Sequence, residues 1–292
     1  MSDRIAAAEQ IVAEKVASVR EVCDCLAIGR ADFYKRRSLP IATKRQATAN
    51  LTPLVIDIFW RHRRRYGTRR IVDELKDLGI PAARRTVANI LKNQGLKAIQ
   101  PKSFQPRTTD SRHCLGYSPN LLLEEFVLRE INQLWVADIT YVPLAEKRFA
   151  YLAMVMDRFS RRLIGWRFEL SMTEDLVIGA LRDAIRMRRP PPDLIHHSDR
   201  GGQYAGKRFR SLLRRASIRQ SMSRAADCYD NAFMESCFGT IKTELEMTEY
   251  EDVGVGAREL GEYFRYYNCD RKHSSLGYQT PVQFENNQPC RK

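Results

Sequence analysis

The sequence lacks an apolar run near the ~18 residues that would cross a bilayer, so no membrane span is expected. Its start, MSDRIAAAEQIVAEK, sets acids inside the apolar stretch and does not have the layout of a signal peptide. No CxxC pair stands with a distant pair of histidines, and Cys23 and Cys25 are too close for that pattern, so a structural zinc site is not expected. The seven cysteines are odd in number and scattered, which points away from a disulfide framework and toward a reducing, cytoplasmic compartment. An excess of acid is also missing. Lys and Arg number 49 against 35 Asp and Glu, a net charge of +14 over 292 residues, which favours a polyanionic partner, nucleic acid first.

That charge is unevenly placed. Residues 1–107 hold 22 Lys/Arg against 10 Asp/Glu, and residues 108–292 hold 27 against 25. The front third therefore reads as the electrostatic anchor. Within it, residues 4–37 have helical periodicity through Val16, Val19, Val22, Cys23 and Leu26. Gly29 interrupts the pattern before a short helix that ends on Lys35, Arg36 and Arg37. Helix, turn and short basic helix is the outline of a helix-turn-helix, assigned to residues 1–44. A second helical unit, residues 45–100, has apolar faces through Leu54, Val55, Ile58 and Phe59, then Ile71, Leu75 and Leu78, then Val87, Ile90 and Leu91. Arg61, Arg63, Arg64, Arg65, Arg69, Arg70, Arg84 and Arg85 converge on this small unit, a density that suits DNA phosphates.

Periodicity stops in the Pro- and Ser-containing stretch 101–126, a linker or extended arm. From residue 132 the pattern changes to strands: NQLWVADITYV, RFAYLAMVMD and RRLIGWRFEL, joined by short turns. A helix over 174–188, a short strand DLIHHSD, a basic helix over 207–217, a strand IRQSMS and a helix over 231–245 follow. This order predicts a ribonuclease-H-like fold, an α/β core at residues 127–247 with a mixed five-stranded sheet and flanking helices. A further helix and a polar arm occupy 248–292.

Three acids stand out in that frame. Asp138 lies mid-strand among Trp, Val, Ala, Ile and Tyr, where Asp is disfavoured and a buried carboxylate needs a partner or a metal. Asp199 follows a short strand and precedes Gly201 and Gly202, which let backbone approach a ligand. Glu235 comes 35 intervening residues later, on one helical face with Asn231 and Lys242. Oxygen ligands in this number suit two Mg²⁺ or Mn²⁺ ions, and two such ions can activate one oxygen and stabilise another around a phosphodiester. The nearby His196 and His197 read as packing residues, Ser198 has no relay to make it a nucleophile, and Asp157 reads as a turn residue or the partner of an arginine.

These segments resemble the OrfB-type transposases of the insertion sequence 3 family and, more distantly, retroviral integrases. The likeness is carried by WVADITYV at 135–142, HSDRGGQYAG at 197–206, CYDNAFMESCFGTIKTE at 228–244 and YNCDRKHSSLGYQTPVQFE at 267–285. VCDCLAIGRADFYKRR and YGTRRIVDEL resemble the family's N-terminal units, and the likeness covers nearly the whole chain. Gly202 stands where many relatives have Ser. The resemblance implies a DDE triad of Asp138, Asp199 and Glu235 with two divalent ions, and a basic position at Lys242. It also implies double-stranded DNA partners, namely element terminal inverted repeats and target DNA. Homo-oligomerisation on that DNA, an OrfA partner or OrfA–OrfB fusion, and a bacterial, nucleoid-associated location go with it. Two other readings remain: a ribonuclease-H-like nuclease that only hydrolyses, and a catalytically inert DNA-binding regulator.

Overall fold

The computed structural model describes residues 2–14, 16–37, 41–100, 116–122, 127–224, 232–246 and 249–288. The chain divides into two compact units, Met1–Ala98 and Ile99–Lys292.

The first unit is helical and holds two small cores. One gathers Ile5, Ala8, Val22, Cys23 and Phe33 from α1 (Ser2–Ala13), α2 (Val19–Cys25) and α3 (Arg30–Arg37), with Ile28 from the turn between α2 and α3. The single helix expected before Gly29 is in fact two. The break falls before Ser18, whose hydroxyl accepts from the Glu21 N–H while the Glu21 carboxylate accepts from the Ser18 N–H. This reciprocal cap satisfies two donors and starts a new helix, and Val16 beside it is exposed. The turn between α2 and α3 takes its positive φ at Ala27, not at Gly29.

The other core gathers Leu51, Val55, Ile58, Phe59, Ile71, Leu75, Val87, Ile90 and Leu91 from α4 (Ile41–Arg61), α5 (Thr68–Asp77) and α6 (Arg84–Asn93), with Tyr66 from the turn between α4 and α5. The expected faces pack inward, except that Leu78 lies past the end of α5 and is exposed. Between α4 and α5 the chain reverses through Arg63 and Arg64, both at positive φ. His62 stacks on Tyr66 at 3.6 Å beneath them.

The second unit is built on β1 (Leu134–Leu144), β2 (Arg148–Asp157), β3 (Leu163–Glu169), β4 (Ile195–Ser198) and β5 (Arg219–Met222). Their order is β3-β2-β1-β4-β5; β1, β2 and β3 are antiparallel neighbours, and β4 pairs parallel with both β1 and β5. This is the expected mixed five-stranded sheet. Side chains of β1 alternate between two buried faces. Leu134, Val136, Val142 and Leu144 join one core with α10 (Ala232–Glu244) and α11 (Val253–Cys269). Trp135 and Ala137 join the other with α7 (Glu174–Arg188) and α9 (Lys207–Arg215). β1 is the middle strand of the five and is covered on both faces. Gly165 on β3 lets α7 approach: a Cβ there would meet the Ala180 carbonyl at 2.2 Å.

Two segments fold more than their composition suggested. Residues 118–122, expected as linker, run along the edge strand β5: Met222 N–H donates to the Pro119 carbonyl, and Leu121 N–H donates to Ser221. Covering an edge removes a site of unwanted pairing. The segment after α11, expected as a polar arm, ends in a capped helix, α12 (Pro281–Asn286). Glu285 on α12 is ion-paired with Arg162 and Arg188.

Candidate active site and nucleic-acid contacts

The strand parity that buries Leu134 and Val136 sends Asp138 to the same face, under α10 and α11. Asp138 is half-buried, and one carboxylate oxygen accepts from the Ile139 N–H at 2.8 Å. Asp199 leaves the end of β4, which pairs directly with β1, and its carboxylate accepts from the Gly201 N–H at 3.0 Å. The glycines that follow open α8 (Gly202–Ala205), a single helical turn where only a loop was expected. Glu235 sits exposed in the first turn of α10. The same helix anchors itself through Met234, Cys237, Phe238 and Ile241, which are buried.

The three acids act on one another. Burial first, then the charge of Asp199, hold the Asp138 carboxyl well above the usual carboxylate range; Glu235 adds to this, while the Ile139 N–H and Lys242 work against it. Among the described residues no group of three His, Cys, Asp or Glu side chains is placed to hold a metal ion, so Asp138, Asp199 and Glu235 are not brought together as a ligand set. Asp138 feels the like charges of Asp199 and Glu235 without a completed ligand set. Hard oxygen donors that repel each other fit a divalent cation, which would reverse the local charge.

Lys242, two turns along α10 from Glu235, is half-buried with its ammonium 4.9 Å from the centre of the Tyr141 ring on β1. Burial pulls its basicity down, and Asp138 supports its charge. Asn231 lies outside the described residues. Lys35, Arg36 and Arg37 end α3, but their side chains lie outside the description. Arg61, Arg63, Arg69, Arg84 and Arg85 are exposed, and Arg64, Arg65 and Arg70 half-exposed. Arg61 pairs with Asp57, and Arg70 lies over the Tyr66 ring at 5.4 Å.

The histidines behave as packing residues. His196 is fully buried, edge-on to Phe209 at 5.4 Å, and burial drops its pKa to about 3. His197 exchanges a 2.9 Å hydrogen bond with Ser221. Asp157 is the turn residue it was read as, accepting from the N–H groups of Asn132, Phe159 and Ser160. One neighbour of the acids escaped the sequence reading. Tyr204 is buried with no hydrogen-bond partner for its hydroxyl among the described residues. Burial, then Asp138 and Asp199, push its hydroxyl pKa up. An aromatic placed just after the glycines of HSDRGGQY was the available signal.

Comparison with known proteins decides the family. The integrase core domain matches residues 129–228, a second integrase core profile matches 216–281, and an HTH-like domain matches 46–104. The Transposase InsF for insertion sequence IS3A of Escherichia coli (strain K12) is 37% identical over 277 residues, covering 92% of this chain and 94% of that protein. The chain belongs to the IS3 family of transposases. A second relative in the family comparison, the insertion element IS600 uncharacterized 31 kDa protein of Shigella sonnei, is 36% identical over 265 residues, covering 90% of this chain and 97% of that protein. Among solved structures, the simian T-cell lymphotropic virus intasome bound to PP2A regulatory subunit B56 gamma matches at TM-score 0.47 and 16% identity, covering 82% of this chain and 76% of that one. The HTLV-2 integrase catalytic core in complex with magnesium matches at TM-score 0.40 and 16% identity, covering 53% of this chain and 97% of that one. This IS3-family transposase is accordingly a polynucleotidyl transferase of the DDE class, with an integrase core and an HTH-like domain. No helix among its described residues is long and apolar enough to cross a membrane.

Proposed function

We propose that this transposase binds the terminal inverted repeats of its element and performs cation-dependent strand cleavage followed by strand transfer, with Asp138, Asp199 and Glu235 as the ligands of two Mg²⁺ or Mn²⁺ ions. The observation that carries the reading is the set of like-charged acids on and beside the central strand, with Asp138 held above its ordinary range by burial and by the other two. When bound, the cations would supply activation of the attacking oxygen and stabilisation of the leaving one.

The protein's own groups then divide the work. Asp138 lies on β1, and Asp199 directly follows β4, the strand that pairs parallel with β1. Glu235 completes the set from α10. In the first reaction water adds to a phosphodiester at the element end, the bond to the 3′ oxygen breaks, and that oxygen leaves as a 3′ hydroxyl. In the second the hydroxyl attacks a target phosphodiester, one P–O bond forms as another breaks, and strands are joined. Lys242 offers a charge to the phosphates flanking the scissile one. The arginines of the 61–70 run, with Arg84, Arg85, Lys35, Arg36 and Arg37, hold the duplex by its backbone. We further propose that the chain acts as a homo-oligomer on DNA, with a separate or fused OrfA product, at the bacterial nucleoid. Residues 1–44, 45–100, 127–247 and 248–292 serve as its anchoring, second anchoring, catalytic and C-terminal parts, with 101–126 as linker.

The test is incubation with candidate element ends and Mg²⁺, with and without an OrfA partner, followed by mapping of nicks. Asp138→Asn, Asp199→Asn and Glu235→Gln are each expected to stop cleavage while DNA binding is kept. Normal cleavage by any of the three would remove that residue from the site.

A further inference from the structure

The turn between β2 and β3 is fixed from within. The buried Asp157 carboxylate takes the N–H groups of Asn132 at 2.7 Å and of Phe159 and Ser160 at 3.0 Å. The Asp157 N–H donates to the Arg162 carbonyl, the Arg161 N–H to the Asp157 carbonyl, and the Arg158 N–H to the Leu134 carbonyl. Arg161 itself sits at φ 60°, held there by this network. Two arginine side chains leave this rigid turn for one place. The Arg158 guanidinium lies 3.3 Å from the centre of the Phe233 ring, and Arg161 lies 4.6 Å from it.

Neither arginine has a carboxylate partner among the described residues, and both are half-buried. The contrast with the next arginine is direct, because Arg162 is paired with Glu285. Burial, then the charge of Arg161, pull Arg158 down to about 10. Arg161 is lowered too, first by burial. A fixed pair of like charges, partly desolvated and stacked on an aromatic face, is a cost that an anion between them would relieve.

We infer that Arg158, Arg161 and Phe233 form a clamp for a backbone phosphate of the DNA being cut. Position supports the occupant. Phe233 stands two residues before Glu235 on α10, and the turn meets β1 at Leu134, four residues before Asp138. Four residues of strand span about 13 Å, roughly four nucleotide steps of ~3.4 Å along one strand. The clamp therefore holds the strand a few nucleotides from the scissile phosphate. This rests on the proposed strand-cleavage function.

The experiment uses the full chain and an element-end duplex without divalent ions, so that binding is read apart from cleavage. The probe is a duplex with single uncharged methylphosphonates at successive positions near the nick. Wild type is expected to lose affinity at one or two positions a few nucleotides from the nick. Arg158→Gln/Arg161→Gln is expected to bind the unmodified duplex more weakly, to lower the salt slope by about 1 to 2, and to lose its sensitivity at those same positions. Phe233→Leu is expected to give an intermediate loss, and Arg148→Gln, whose partner is Glu146, to give none. An unchanged salt slope and unchanged methylphosphonate pattern in a folded double variant would overturn the clamp. A change only in oligomeric state would overturn it equally, and assign the arginines to a second copy of this chain. Absence of cleavage by wild type with Mg²⁺, with and without an OrfA partner, would count against the proposed strand cleavage, while the phosphate map would still report on the clamp.

Discussion

Two places in the integrase core bury acid, and they treat it in opposite ways. At the C-terminal end of α10, Glu244 receives the Arg271 guanidinium through hydrogen bonds of 2.7–3.0 Å and the Tyr263 hydroxyl at 3.0 Å. Burial opposes the charge of Arg271, but Glu244 holds it above its usual range. Glu285 is treated the same way: burial pushes it up, and Arg188, Ser160 and Arg162 bring it below its ordinary value. At the start of the same helix Glu235 and, beyond it, Asp199 push the Asp138 carboxyl up rather than neutralise it. Paired acids close the fold. The acids around Asp138 raise its carboxyl, and under the proposed function a cation would offset that.

The largest expected difference is catalytic. Removing one ligand oxygen from the open set should cost several kcal/mol of transition-state stabilisation, about 10³-fold in cleavage. Thermal stability should be kept or raised, because a repulsion is lost. Loss of both cleavage and folding in Asp138→Asn would erase the distinction. Next comes stability. Arg271→Leu leaves Glu244 buried without its cation and is expected to cost about 3–5 kcal/mol in denaturant unfolding. A cost under about 1 kcal/mol would show that water already solvates this pair.

Smallest is the pH response, and its sign separates the two places. Asp138 is raised in the folded state, so between 3.8 and its folded pKa the folded protein holds more protons than the unfolded chain. Its contribution is full below 3.8 and declines as pH rises through the window, by up to about 1.4 kcal/mol per pH unit. Asp157, also raised by burial, acts in the same sense, so the comparison is with Asp138→Asn rather than with a flat line. Glu285 is lowered, so its contribution is full above 4.5 and is lost as pH falls through its folded value. In metal-free protein Asp138→Asn should flatten the decline on the upper side, and Glu285→Gln the decline on the acid side. Identical curves for the two variants would contradict the contrast.

Much of this was legible before any coordinates. WVADITYV reads as a strand, and an Asp inside such an apolar run announces itself because burial penalises it; that both faces of the strand are covered only the fold shows. The pairing at the other end was hidden, since Glu244 and Arg271 are 27 residues apart and their meeting depends on how α11 crosses the sheet. The same holds for residues 267–288, whose polar composition reads as an arm until Glu285 finds Arg162 and Arg188. Val16 shows the local version: its spacing continued a helix, but α1 stops at Ala13 and Ser18 caps the start of a new one. Periodicity reports a face; it does not report which distant charge that face will meet.

The central claim, that the acids on β1, just after β4 and on α10 serve cations while Glu244 and Glu285 do not, is tested most directly by thermal unfolding against Mg²⁺. Wild type should gain stability with concentration, by about 2.7 kcal/mol at a hundred times the dissociation constant. Asp138→Asn and Asp199→Asn should lose most of that gain, and Glu285→Gln should keep it. Equal stabilisation of wild type and Asp138→Asn by Mg²⁺ would contradict the account.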